Sequence, residues 1–352
     1  VPTSVPPLTC AIIGLSEITS APATPSTRGG RSPLPGSHAA AIARIPGLTV
    51  SAICDMNPDA IASFHQRWDS CWPDMRDYTD AFEMIGQEAP DILAVVTPDH
   101  LHRDIVVAAA EKGIPAIMCE KPLATSVKDA DAIIAACEQH GTRIQVDHTR
   151  RWDPFFHQAR LLIDEGRIGD VISVTGTLHG PRAMLYRNGT HILDLMHSYA
   201  GAPPTAVSAR LEPGYDEFTA YRGDGGHLPS SEPAASAYIE YANGVRGQYN
   251  GLKGEFMLVE WDVIGSGGRI RIGANHAELY VHHPDLGLAQ VPFPASVIMT
   301  GGIQGAWEDL IAALTDDQHE VRSTARDARA TVATIDAILR SHQQQGKLVA
   351  LG

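Results

Sequence analysis

Four short stretches of this chain hold residue types that could do chemistry together. "TPDHLHRD" (Thr97–Asp104) and "IMCEKPLATS" (Ile117–Ser126) each follow an apolar run, and the second carries the block Glu120-Lys121-Pro122. A lysine there could orient and polarise a hydroxyl, or exchange a proton with it if neighbours lower its pKa. A solvated surface pair of Glu120 with Lys121 is the competing reading. "HTRRWDP" (His148–Pro154) supplies Arg150 and Trp152, and "GTHILDL" (Gly189–Leu195) sets Asp194 one helical turn after His191. A neutral histidine can take a hydroxyl proton while hydride leaves the carbon that bears it. His179, ending a strand-like run, reads equally as a substrate contact and as a satisfied sheet histidine.

A fifth stretch, "CAIIGLSEITSAPATPSTRGGRSPLPGSHAAAIARIPGLTVSAICD" (Cys10–Asp55), begins as an apolar strand ending in Gly14 and closes on a second strand ending in an acid. A turn of this kind lets backbone approach a pyrophosphate, with helix N–H groups pointing at it. Ser16 could add its hydroxyl. The helix that should follow starts near Glu17, is interrupted by Pro22 and Pro25, and resumes at Ser37-His38. Asp55 is placed to accept hydrogen bonds from an adenosine ribose and to repel a 2′-phosphate, which favours NAD(H) over NADP(H). It lies about twice as far beyond Gly14 as the roughly 20 residues expected. A Pro/Ser-rich insertion near residues 19–36 reconciles the two. A turn aspartate before Asn57-Pro58 is the alternative. A second glycine cluster, "VIGSGGRIRI" (Val263–Ile272), has strand-like residues on both sides and reads as a hairpin turn.

The elements that must position these residues fall into two textures. Strands are predicted at Thr9–Gly14, Thr49–Cys54, Ile92–Thr97, Ala116–Cys119 and Arg143–Asp147. Helical patterns alternate with them at Ser37–Ile45, Asp59–Trp68, Asp80–Ile85, Asp104–Lys112 and Val127–His140. That alternation implies a parallel sheet covered on both faces, a Rossmann dinucleotide-binding domain over residues 1–148. After a helix at Pro154–Glu165, strand-like runs dominate: Asp170–His179, Thr205–Leu211, Ser236–Tyr241, Val245–Tyr249, Met257–Ile264, Arg269–Ile272 and Glu278–His282. One helix near Ile192–Tyr199 enters them, and helices at Ile303–Leu314 and Ala325–His342 close the chain. Residues 149–352 are therefore expected to form a second α/β domain with an open, mostly antiparallel sheet.

Composition narrows the function classes. The 352 residues carry a formal net charge of −14 and are 44% hydrophobic and 19% charged, with no basic block of the kind that neutralises phosphates. No apolar run approaches the roughly 20 residues that cross a bilayer. Neither nucleic acid nor membrane is expected as a partner. The opening "VPTSVPP" lacks the regions of a signal peptide. The five cysteines include no C-x-x-C pair, and together these features predict a cytoplasmic, reducing setting. His100 with His102, or His282-His283, could ligate a metal but have no carboxylate or Cys at ligand spacing, so no metal is expected.

Thr97-Pro98 with His102, Glu120-Lys121-Pro122, "HTRRWDP" and "GTHILDL", in this order, resemble the glucose–fructose oxidoreductase / inositol dehydrogenase (Gfo/Idh/MocA) family. The resemblance covers essentially the whole chain. It implies NAD(P)-dependent oxidation or reduction of a sugar, glycoside or cyclitol, and a homodimer or homotetramer packed through the C-terminal sheet. Carried over by position, Gly14, Ser16, Ile18, His38, Asp55, Thr97, Pro98, His102 and Glu120 would contact the cofactor, with Lys121 between nicotinamide and substrate. Arg150, Trp152, His179, Arg187, Asn188 and Asp194 would line the substrate, and His191 matches the catalytic histidine. Many members have an Asp four residues before that histidine. Here the position is Arg187, which leaves the general base open and favours a carboxylate-bearing substrate or a rearranged site. Two other functions fit the same residues: an NAD-recycling glycosidase acting through a transient keto-sugar, and a non-catalytic nucleotide-binding protein.

Overall fold

The computed structural model describes residues 7–22, 35–223, 228–274, 276–294 and 301–352. They form two compact units. The first comprises Val1–Ala124, Lys128–Trp152 and Thr300–Arg326, the second Thr125–Val127, Asp153–Met299 and Asp327–Gly352. The units are therefore not two consecutive segments divided at 148/149: residues 300–326 belong with the first.

The first unit is built on a six-stranded parallel sheet of β1 (Leu8–Ile13), β2 (Leu48–Cys54), β3 (Arg76–Tyr78), β4 (Ile92–Val95), β5 (Ala116–Cys119) and β6 (Arg143–Val146), ordered β3-β2-β1-β4-β5-β6. β1, β4 and β5 are almost wholly buried, which is why they read as unbroken apolar runs. Helices α1 (Glu17–Ser20), α2 (His38–Ile42), α3 (Pro58–Trp68), α4 (Ala81–Gln87), α5 (His102–Lys112) and α6 (Val127–His140) connect the strands. The split between α1 and α2 falls where the prolines predict it. Residues 23–34 of the insertion lie outside the described residues, but its flanks are held together, because Ser37 Oγ donates to the Ala21 carbonyl (2.5 Å) and also caps α2 through the Ala40 N–H (3.1 Å).

Helix α9 (Gly302–Thr315) completes this unit. Ile303, Ala306, Trp307, Leu310 and Ile311 join Ile12, Ile42, Ile53, Phe64 and Trp152 in one buried cluster. Nearly every face of α9 is covered, so its apolar residues show no single stripe.

The second unit holds a nine-stranded sheet. Its strands are β7 (Val171–His179), β8 (Pro204–Leu211), β9 (Ala235–Tyr241), β10 (Arg246–Leu252), β11 (Leu258–Gly265), β12 (Gly268–Gly273), β13 (Ala277–His283), β14 (Gly287–Val291) and β15 (Val349–Ala350). The order is β14-β13-β12-β11-β7-β10-β9-β8-β15, antiparallel except where β7 meets β10. The glycine cluster is indeed a hairpin, with Gly265 opposite Gly268. Helices α7 (Pro154–Asp164), α8 (Thr190–Ala200) and α10 (Ala325–Gln343) accompany the sheet, and its core includes Trp261, Tyr249, Ile192, Met196 and Ile338. The opposite face of β11 and β12 carries charge pairs instead, Asp262 with Arg269 (2.5 Å) and Glu260 with Arg271 (2.9 Å).

Candidate active site

In the first unit the site residues collect at the carboxyl edge of the parallel sheet, where open α/β sheets bind ligands. Gly14 follows β1 with φ +92°, and a Cβ there would strike the Val96 carbonyl beyond β4. Only glycine lets the loop lie that close. Asp55, just past β2, closes the loop from the other side: one carboxylate oxygen accepts from the Leu15 N–H (2.8 Å) and the other from the Asn57 N–H (2.8 Å). The turn reading and the site reading of Asp55 thus coexist, since each oxygen retains a lone pair. Thr97, past β4, has a buried hydroxyl with no hydrogen-bond partner. A close-approach glycine, a fixed acid and an orphaned hydroxyl on one sheet edge fit a dinucleotide.

One expected cofactor contact, His102, is held by bonds within the protein. His102 is fully buried, with Nε2 3.0 Å from the Thr97 carbonyl and Nδ1 3.0 Å from the Pro122 carbonyl. It braces the loops after β4 and β5 against each other. Ile18 is 42% exposed on α1, Pro98 is exposed beyond Thr97, and Ser16 stands at the N-cap of α1 without capping it.

The loop after β5 presents Glu120 and a half-buried Lys121, joined to Pro122 by a cis peptide. Behind them lies a buried cluster that sequence reasoning only half found. His38 Nε2 is 3.2 Å from Glu120 Oε1 and 3.6 Å from Asp147 Oδ2. The Trp307 indole N–H donates to His38 Nδ1 (3.1 Å). Because that nitrogen accepts, the ring proton sits on Nε2, facing the carboxylates. Burial opposes charge on Glu120, but the hydrogen bond from His38 and the Lys121 ammonium prevail and bring its pKa down to about 2. Asp147 goes the other way: burial and the Glu120 charge push it up to about 7, against the pull of His38 and Lys121. Burial also opposes charge on His38, while Glu120 and Asp147 raise its pKa overall. Trp307 limits that rise, because a doubly protonated ring would face the indole donor to donor.

His38, Glu120 and Asp147 have the residue types of a metal site, with the candidate ligand atoms within 4.8 Å of one another. The Trp307 indole N–H engages Nδ1, so Nε2 is the ring nitrogen that faces both carboxylates. Nothing in the spacing of Asp147 or Trp307 marks them. Each reaches His38 only through the fold.

Arg150 lies half-buried on the turn Thr149–Trp152 after β6. Trp152 requires a correction. It is 2% exposed, in the core of the first unit, with its Cβ where a Cβ on Gly305 of α9 would lie 2.8 Å away. Its indole packs the domain and does not wall a pocket, because an aromatic followed by Asp-Pro looks the same in either role.

The second unit supplies the remaining residues. A π-helical turn at Leu185–Gly189 carries Arg187 and Asn188 into α8. The carboxylate of Glu232, fully buried, accepts the N–H groups of Tyr186 (2.7 Å) and Arg187 (3.1 Å) and so fixes that turn. Glu232 was invisible in sequence, lying in a loop patch. Asn188 donates to the Arg182 carbonyl (2.6 Å). His191 is half-buried in the first turn of α8, with Asp194 buried one turn on. His179 has Nδ1 2.6 Å from the Phe256 carbonyl, and its ring stacks on Phe256 at 3.9 Å.

Fold and edge define the class first: the first unit is a Rossmann-type dinucleotide domain. Residues 8–148 match the family model described as oxidoreductase family, NAD-binding Rossmann fold, and residues 156–271 match that of the GFO/IDH/MocA C-terminal domain. The chain belongs to the Gfo/Idh/MocA oxidoreductases. It is 28% identical over 338 residues to D-apiose dehydrogenase of Paraburkholderia graminis, covering 87% of this chain and 84% of that protein. With inositol 2-dehydrogenase of Salmonella typhimurium it shares 28% identity over 163 residues, 44% of this chain and 47% of that protein. The WlbA dehydrogenase of Bordetella pertussis, solved with NADH and UDP-GlcNAcA, has the same fold: TM-score 0.73 at 21% identity, over 98% of this chain and 99% of that one. Among the described residues, no helix is long and apolar enough to cross a membrane.

Proposed function

We propose that this chain oxidises a ring hydroxyl of a sugar, glycoside or cyclitol to the ketone with NAD as hydride acceptor, and reduces the ketone with NADH. One observation carries the reading: Glu120 and Lys121 stand together past β5, on the sheet edge where Gly14 and Asp55 close a dinucleotide loop. When bound, NAD supplies the acceptor carbon. Asp55 holds the adenosine ribose and disfavours a 2′-phosphate, and Thr97 gives its hydroxyl to the cofactor. Lys121 binds the reacting hydroxyl and polarises it, while His191 takes its proton. Arg187 suits an anionic substrate group, and Arg150 is a further substrate contact. Asn188 and Asp194 are further substrate contacts, and the protein assembles as a homo-oligomer through the nine-stranded sheet.

The test is a panel of polyols, glycosides, uronates and cyclitols with NAD or NADP, read as reduced nicotinamide. NADH formation that Lys121→Met abolishes is the expected result. Cleavage of a chromogenic glycoside with catalytic NAD and no net NADH would replace this reading with the NAD-recycling glycosidase.

A further inference from the structure

In the buried cluster behind Lys121, Trp307 bears on where a proton shared with the two carboxyl groups sits. Two arrangements contain the same number of protons. In one, His38 is an imidazolium between two carboxylates. In the other, His38 is neutral and one carboxyl keeps the proton. The first needs a proton on Nδ1, which lies 3.1 Å from a group that only donates, the Trp307 indole N–H. The second leaves that hydrogen bond intact. Of the two acids, Glu120 has the anion's partners: Lys121 N–H donates to its Oε2 (3.1 Å) and His38 Nε2 faces its Oε1 (3.2 Å). Asp147 has none. It is 1% exposed, and neither of its carboxylate oxygens has a hydrogen-bond partner.

We propose that Asp147 and Glu120 share a single proton across His38, and that Asp147, as the neutral member, is a positioning residue that keeps Glu120 the one anion of this three-residue cluster. The titratable groups facing Asp147 are His38, Glu120 and Lys121. Losing its proton to solvent places a second negative charge in the cluster. That charge holds the Lys121 ammonium more tightly and weakens its capacity to pass a proton to or from a hydroxyl. A merely structural aspartate would leave the pH dependence of turnover unchanged. The kinetic consequence rests on the dehydrogenase reading above; the proton sharing itself does not.

The experiment therefore has two arms. In the first, infrared pH-difference spectra are taken of the full-length chain without cofactor. A buried carboxylic-acid C=O band should be present in mildly acidic solution, vanish with a midpoint near 7, and be missing in Asp147→Asn. In Trp307→Phe the band should weaken, because His38 Nδ1 is then free to take the proton. In the second arm, the pH profile of kcat/KM should show an inflection near 7 that Asp147→Asn removes. No carboxylic-acid band in the wild type, or one that Asp147→Asn retains, overturns the proposal. So does a band accompanied by an identical pH profile in wild type and Asp147→Asn. A band that behaves as expected in a protein that turns over no polyol leaves the proton sharing standing and counts against the dehydrogenase reading alone.

Discussion

Three side chains divide the labour at the residue scale. Lys121 touches the reacting hydroxyl in this account, so Lys121→Ala should lower kcat by about 10²–10⁴-fold, the usual worth of a positioned acid or base, with NADH affinity little changed. Stopped-flow hydride transfer beside a fluorescence titration of NADH checks both halves. Asp55 sets cofactor choice. Asp55→Asn keeps an oxygen for the Leu15 N–H but loses the charge, and should raise the NADP/NAD preference by roughly tenfold, about 1.4 kcal/mol, in paired Kd measurements. Asp147 sets pH dependence. Its pKa is raised from an ordinary 3.8 to about 7, so the stability it contributes is fully present below the ordinary value and is lost as pH rises through about 7. Asp147→Asn should therefore gain on the wild type with rising pH, reaching at least ~3 °C in Tm on the alkaline side. Lys121, Glu120 and Asp55 are marked in sequence by strand ends and a short block, and His38 only by the family resemblance. Asp147, Trp307 and Glu232 are not, because their partners meet them only across the fold.

Elements explain how the interrupted glycine loop is held together. α1 and α2 stand where a single helix would follow an uninterrupted glycine turn. Thr19 of α1 donates to the Gly14 carbonyl (2.7 Å), and the Trp68 indole on α3 donates to the Ser20 carbonyl (2.9 Å), which anchors α1 without the rest of the insertion. The Ser37 hydrogen bond to Ala21 brings the flanks together, so deleting residues 23–34 leaves a gap the chain can bridge. The deletion should change Tm by less than about 2 °C while weakening NAD binding several-fold, checked by calorimetry and titration; unchanged binding would make the insertion decoration. The buried parallel strands were readable as apolar runs, and the paired hairpin as two runs around glycine. Three strands were not. β3 reads Arg-Asp-Tyr, β15 has two residues, and β14 (Gly-Leu-Ala-Gln-Val) sits at the sheet edge with little burial, so none carries a periodicity to detect.

The whole molecule differs from a chain of two consecutive domains. α9 forms late in the sequence yet supplies Ile303, Ala306, Trp307, Leu310 and Ile311 to the core of the first unit. Helical periodicity revealed that α9 exists but not which core it fills, since an apolar helix buried on most faces points nowhere in particular. A fragment ending at Trp152 should accordingly lack a cooperative thermal transition, and joining residues 300–326 to it through a flexible linker should restore one. The measurement that bears most directly on function is hydride transfer by the intact protein. With NAD and a panel of sugars, glycosides, uronates and cyclitols, the account predicts NADH from at least one ring alcohol, with Lys121→Met losing that activity while still binding NADH. No reduced nicotinamide from any of them with either NAD or NADP, or undiminished turnover in Lys121→Met, would contradict it.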